Sequence, residues 1–176
     1  DLVLGVAAAG HNLPNNANVV GHLINLLPVR LQVKANESFA QQLKTTRGKI
    51  LDAFDHQQYT FGMLVRNLKM ERDSSRNALI SVAFNMDSPL NDLNYGSLQV
   101  TTQGVPHRYE TFDIFINLKP LSKGIDFEWN FNTELFRTEN IAHRLAEFKV
   151  LLGGLLETPE LPISKFYLLP LPEFQT

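Results

Sequence analysis

Five stretches of the chain predict strands, four by alternation of apolar and polar positions and one by an unbroken apolar run. Leu2 to Val6 is a continuous apolar run, as in a strand covered on both sides. Val29 to Val33 alternates just after Pro28, a residue that argues against a helix interior there. Further along, Ile80, Val82, Phe84 and Met86 share one side while Leu79, Ser81, Ala83 and Asn85 share the other, because successive strand side chains point to opposite faces. The second of these sides is small and partly polar, suited to lining a cleft that something long and thin occupies. Phe112, Ile114, Ile116 and Leu118 form one face of another segment, and Ile125, Phe127, Trp129 and Phe131 oppose Asp126, Glu128, Asn130 and Asn132 in the last. These two, joined by a turn around Pro120 and Gly124, are predicted to pair as an antiparallel hairpin.

Helical spacing accounts for three more segments. Ser38 with Gln41 predicts a capping box, and Phe39, Leu43, Ile50 and Phe54 mark one stripe behind it. Gly48 weakens that helix by about 1 kcal/mol relative to Ala. Phe61, Leu64, Val65 and Leu68 predict a shorter helix. A last one opens at Thr138, carries Ile141, Leu145, Phe148 and Leu152, and is expected to stop at Gly153-Gly154. Polar runs over 7–18, 72–77 and 87–96 read as loops, and the prolines beyond Glu157 read as a linker along the surface. The result is an α/β expectation, a mixed sheet packed by helices.

Composition narrows the classes without naming one. With 176 residues, 44% hydrophobic and 19% charged, the chain is sized for one core. A net charge of -2 advertises neither nucleic acid nor a cationic partner. The absence of cysteine excludes disulfides, thiolate zinc sites and a cysteine nucleophile, and it fits a reducing cytosol. No apolar run is long enough to span a bilayer. Asp1 leads directly into an apolar strand, so the expectation is a fragment or a cleavage product, whose exposed strand would need cover.

Chemistry is sparse. There is no Gly-x-Ser-x-Gly elbow, no phosphate-binding glycine loop and no His-Glu-x-x-His. The histidines, His11, His22, His56, His107 and His143, are scattered, with none three or four residues from another, so no helical metal pair is expected.

Four stretches together carry a family resemblance. They are Asp1-Leu-Val-Leu-Gly with Ala9-Gly10-His11; Val20-Gly-His-Leu-Ile-Asn-Leu-Leu-Pro-Val-Arg30; His56-Gln-Gln-Tyr-Thr-Phe-Gly-Met-Leu-Val65; and Arg72-Asp-Ser-Ser-Arg-Asn-Ala-Leu79. In this order and spacing they resemble the later core motifs of condensation domains, the peptide-bond-forming domains of nonribosomal peptide synthetases. Phe127 to Phe136 and Pro159 to Leu169 resemble that family's aromatic strand and its linker toward an adenylation domain.

The resemblance implies a chloramphenicol-acetyltransferase-like fold of two lobes in a V. Residues 1–156 correspond to the larger part of the second lobe, and 157–176 to a linker toward a following domain. It also implies that donor and acceptor thioesters arrive on the phosphopantetheine arms of two carrier proteins and are joined by an amide bond. The His-His-x-x-x-Asp-Gly motif of the first lobe is absent from these residues, so no catalytic residue is expected here and the chain alone is expected to be inactive. Two positions carry over to the rim of the active site. His11 stands where the family usually has an Arg that pairs with the motif's Asp across the lobes, and a neutral imidazole lacks the fixed fork of a guanidinium. Asn85 matches an Asn near the reaction centre, where its amide can steady the thioester or the nucleophile; an ordinary polar residue at a strand end is the competing reading. The alternatives are a noncatalytic scaffold that docks carrier proteins, or an epimerisation or cyclisation domain of the same superfamily. Neither a metal, a nucleic acid nor a membrane is expected as a partner, and nothing identifies a residue that binds a cofactor directly.

Overall fold

The computed structural model describes residues 1–10, 18–69, 77–87, 96–98, 105, 109–121 and 123–168. Five strands, β1 (Leu2–Ala9), β2 (Ile24–Leu31), β3 (Val82–Met86), β4 (Ile114–Leu121) and β5 (Gly124–Phe131), form one sheet in the order β2-β1-β3-β4-β5. The sheet is mixed. β3 lies parallel to β1 and β4, whereas β1–β2 and β4–β5 are antiparallel pairs. Three helices accompany it: α1 (Phe39–Asp55), α2 (Phe61–Leu68) and α3 (Thr138–Glu157). This is the α/β arrangement expected from the sequence.

Register divides the sheet into two unlike faces. Side chains in register share a face, so Leu27, Val6, Phe84, Ile116 and Trp129 line one side, with Ala8, Val29, Leu118 and Phe127. Ala8, Leu27, Val29 and Leu118 are buried there. The helices reach the sheet through this face. The Phe148 ring of α3 sits 5.5 Å from Phe127 and 5.8 Å from Trp129. The Asn25 amide of β2 donates to Gln57 O at 2.8 Å and its oxygen accepts from Phe61 N at 3.2 Å, tying the α1–α2 junction down. The opposite face carries Pro28, Gly5, Ala83, Phe115 and Asn130 in one row and Leu26, Ala7, Asn85, Asn117 and Glu128 in the next.

Local chemistry explains the element boundaries. Ser38 caps α1, accepting from Gln41 N while its own N–H donates to Gln41 Oε1, which is the predicted capping box. Thr60 caps α2 through Met63 N. In α1 it is Gln42, not Leu43, that turns inward: Gln42 is buried and bonds Gln32 O and Lys34 N, whereas Leu43 is 55% exposed.

Several boundaries differ from the sequence reading; β1, for one, runs to Ala9 where the sequence pattern predicts a loop from residue 7. β2 begins at Ile24 and runs through Pro28; it is an edge strand, where a missing N–H leaves no ladder bond unmade. The β4–β5 turn falls after Leu121, so Pro120 lies inside β4, beyond the end of β3. Most informative is α3, which continues through Gly153-Gly154 to Glu157. A Cβ on Gly154 would lie 3.1 Å from the Phe166 ring. Gly154 therefore marks a close approach by the chain's own tail, and neither glycine stops the helix.

That tail folds back. Ala40 N donates to Pro159 O, Ile163 N to Glu37 O and Ser164 N to Ala35 O at 2.9 to 3.0 Å, and Ser38 bridges Pro162. A 3-10 turn at Ile163–Lys165 follows. His11, His107, the 72–76 loop, Pro89, Pro170 and Pro172 lie outside the described residues.

Candidate functional site

Between Asn77 and β3 the backbone does not continue the strand alternation. Leu79 adopts a positive φ of 68°, and Ile80 N donates to Ala78 O at 2.8 Å. The reversal sends Ile80 away from the Val82–Phe84 side expected for it. A Cβ on Gly5 would lie 2.8 Å from Ile80 Cγ2, so Ile80 covers Gly5 on the opposite face and is fully buried. With Ala83 also buried, the small-residue side of this segment is not an open groove along its length. On either side of Ala83 it stays accessible, with Ser81 exposed and Asn85 half-buried at the far end.

There the sheet gathers polar groups. Asn85 and Asn117 are register partners on adjacent strands, and Asp87 follows β3 with its N–H donating to Leu118 O at 2.8 Å. The three side chains close a triangle. Asn85 Nδ2 donates to Asp87 Oδ1 and to Asn117 Oδ1, and Asn117 Nδ2 donates to Asp87 Oδ2, each at 2.9 Å. A carboxylate only accepts, so Asp87 obliges both amides to present their NH2 groups to it. This assigns the amide orientations by chemistry rather than by shape. Asn117 is 9% exposed, and Asn85 is half-buried.

Beside the triangle stands an ion pair. Lys119 of β4 bonds Glu128 of β5, with Asp126 its register partner. The hydrogen bond that Lys119 donates to Glu128 raises the Lys119 pKa above its ordinary value; burial opposes this, and the fields of Glu128, Asp126 and Asp87 add to the rise. Lys119 therefore remains a cation at neutral pH, facing acidic neighbours.

Of the two expected rim residues, Asn85 lies in this cluster and His11 falls outside the described residues. The sequence reading missed Asp87 and Asn117. Their signal was available only in part, since Asn117 sits in a strand whose neighbour could not be read. Two of the resemblance motifs meet in space: Asn25 of the second bonds Gln57 O, Tyr59 O and Phe61 N of the third. Arg30 pairs with Asp1 at the far end of the β1–β2 ladder. His22 flanks a hollow shared with Gly10, Asn25, Gln57 and Gly62. Among the described residues no group of three or more His, Cys, Asp and Glu is placed to hold a metal, and no helix is long and apolar enough to cross a membrane.

Comparison with known proteins agrees with the architecture. Surfactin synthase subunit 1 of Bacillus subtilis (strain 168) is 32% identical over 170 residues, covering 96% of this chain and 5% of that protein. The chain thus spans about one-twentieth of the length of that relative. Among solved structures, holo-AB3403, a four-domain nonribosomal peptide synthetase bound to AMP and glycine, superposes with a TM-score of 0.86 at 17% identity, over 98% of this chain and 14% of that one. A complex of the X-domain and OxyB from teicoplanin biosynthesis gives 0.79 at 18%, over 96% of this chain and 38% of that one. At these identities the structures establish the fold, chloramphenicol-acetyltransferase-like as expected. The Condensation domain sequence model matches residues 1–175, and the chain belongs to the condensation domain family.

Proposed function

We propose that this chain is the larger part of the second lobe of a nonribosomal peptide synthetase condensation domain, and that Asn85 lies at the edge of its reaction centre. The observation that carries the reading is the family match over residues 1–175. The polar triangle, on the sheet face opposite the described helices, supports it. In the reaction, the α-amine of a carrier-bound acceptor attacks the carbonyl carbon of a carrier-bound donor thioester. A C–N bond forms, the C–S bond breaks, and the proton lost by the amine ends on the departing thiol. Holding two tethered thioesters in line makes the encounter effectively intramolecular, which supplies much of the acceleration.

The base belongs to the His-His-x-x-x-Asp-Gly motif, absent here, and the first lobe that bears it is the partner this lobe faces. His11 replaces the usual cross-lobe arginine on this reading. Donor and acceptor carrier proteins deliver the phosphopantetheine arms, and residues beyond Glu157 lead toward a following adenylation domain. The chain's small share of its relatives' length accords with a multidomain setting.

A noncatalytic docking scaffold remains the second reading, favoured by the likeness to the X-domain found in complex with OxyB. The test is reconstitution of the full-length natural protein with donor- and acceptor-loaded carriers, followed by mass spectrometry of the carrier-bound products. Amide product from the full-length protein and none from this chain alone is the expected result. Carrier binding with no amide from the full-length protein establishes the scaffold instead.

A further inference from the structure

The Asn85 amide has spent both of its donors. One N–H goes to Asp87 and the other to Asn117, and an amide nitrogen has no third. Its oxygen is different. No described residue donates to Asn85 Oδ1, and Trp129 Nε1 is the sole buried side-chain atom without a partner among the described residues. The oxygen is therefore open to solvent, and the chemistry Asn85 offers outward is that of a carbonyl acceptor rather than an N–H donor. A thioester oxygen cannot use it. An amine can.

We propose that Asp87 and Asn117 are positioning residues that lock the Asn85 carbonyl oxygen outward to accept a hydrogen bond from the α-amino group of the acceptor substrate. This rests on the condensation reading above and deepens it. A neutral amine carries two hydrogens and one lone pair, so one N–H can donate to Asn85 while the lone pair attacks and the other proton leaves for the base. As the C–N bond forms, the nitrogen gains positive character and its N–H becomes a stronger donor. The contact therefore tightens in the transition state, which is the condition for it to accelerate the reaction. Asp87 does this without touching substrate: as an acceptor-only carboxylate it forbids the amide flip that would turn an N–H outward.

The experiment uses the full-length natural protein with loaded carriers and reads single-turnover amide formation. Asp87→Asn removes the constraint and lets Asn85 flip; it and Asn85→Ala should each slow the step about tenfold, the value of one hydrogen bond to a group gaining charge. The paired exchange Asp87→Asn with Asn117→Asp restores the outward oxygen, because the carboxylate now at 117 accepts from the amides at 85 and 87 and again fixes the Asn85 NH2 inward. Its rate should return to within about threefold of the unsubstituted protein. A merely structural triangle gives no such rescue in rate. If Asp87→Asn fails to fold, Asp87→Ser, whose hydroxyl donates as well as accepts and so also permits the flip, should give the same fall. The proposal is overturned if the folded single variants keep full rate, or if the paired exchange is as slow as Asn85→Ala. A silent unsubstituted protein that still binds its carriers overturns the condensation reading itself, and this assignment with it.

Discussion

Two glycines with opposite surroundings show how much a single position can decide. Gly5 faces Ile80 and Leu26, and an added Cβ would stand 2.8 Å and 3.0 Å from their methyl carbons. Gly48, inside α1, has nothing within 4 Å of such a Cβ. Gly5→Ala should therefore destabilise by about 1 to 3 kcal/mol through overpacking, whereas Gly48→Ala should stabilise by about 0.5 to 1 kcal/mol through helix propensity. Denaturant unfolding of the two variants measures this, and equal signs would show that the Ile80 contact is looser than it stands here. At this scale the sequence was partly readable. Alternation put Asn85 on the small-residue face opposite Val82 and Phe84, correctly. It could not reveal that Leu79 turns left-handed and throws Ile80 to the Gly5 side, since a leucine carries no signal for positive φ. Nor could it pair Asn85 with Asn117, because a register between residues 32 apart is set by strand order, not by local pattern.

Elements were more legible than their ends. The capping box of α1 and the β4–β5 hairpin followed from local chemistry that tertiary packing had no reason to override. Pro28 and Gly153-Gly154 misled because each was read as punctuation. Pro28 is harmless on an edge strand, and Gly154 admits Phe166. Across β4 and β5, the Lys119–Glu128 pair makes a prediction about pH. The Lys119 pKa is raised in the folded chain, chiefly by its bond to Glu128. A group with a raised folded pKa contributes stability in full below its unfolded pKa, and loses it as pH rises through the folded one. The difference in melting temperature between the unsubstituted protein and Glu128→Gln should thus hold steady from about pH 6 to about pH 9 and close only in the lysine range. A difference that already fades near neutrality would mean the pair is not what sets the Lys119 charge.

On the scale of the molecule, one sheet whose described helices lie together on one side explains why the candidate site lies where it does. The helix-bearing face is filled by Leu27, Val29, Leu118 and the Phe127–Phe148–Trp129 rings, which leaves the polar triangle to the other face. Strand periods announced the mixed α/β class, and the ordering of the strands emerged only in three dimensions. The tail is where whole-chain packing departs furthest from local reading. Its prolines suggested a linker, yet residues 159–166 are tied to 35–40 by three backbone hydrogen bonds and a bridge, with Phe166 laid against Gly154. Prolines satisfy the geometry of such a strap as readily as that of a tether, because both need extended backbone with few donors. Hydrogen exchange separates the two. If the strap is part of the fold, the amides of Ala40, Ile163 and Ser164 exchange slowly and together, reporting one opening event. Phe166→Ala, which removes the ring from Gly154, should then speed Ile163 and Ser164 while leaving the protection of β1 and β3 unchanged. Exchange of Ile163 and Ser164 at the rate of an unstructured peptide would return the segment to a free linker.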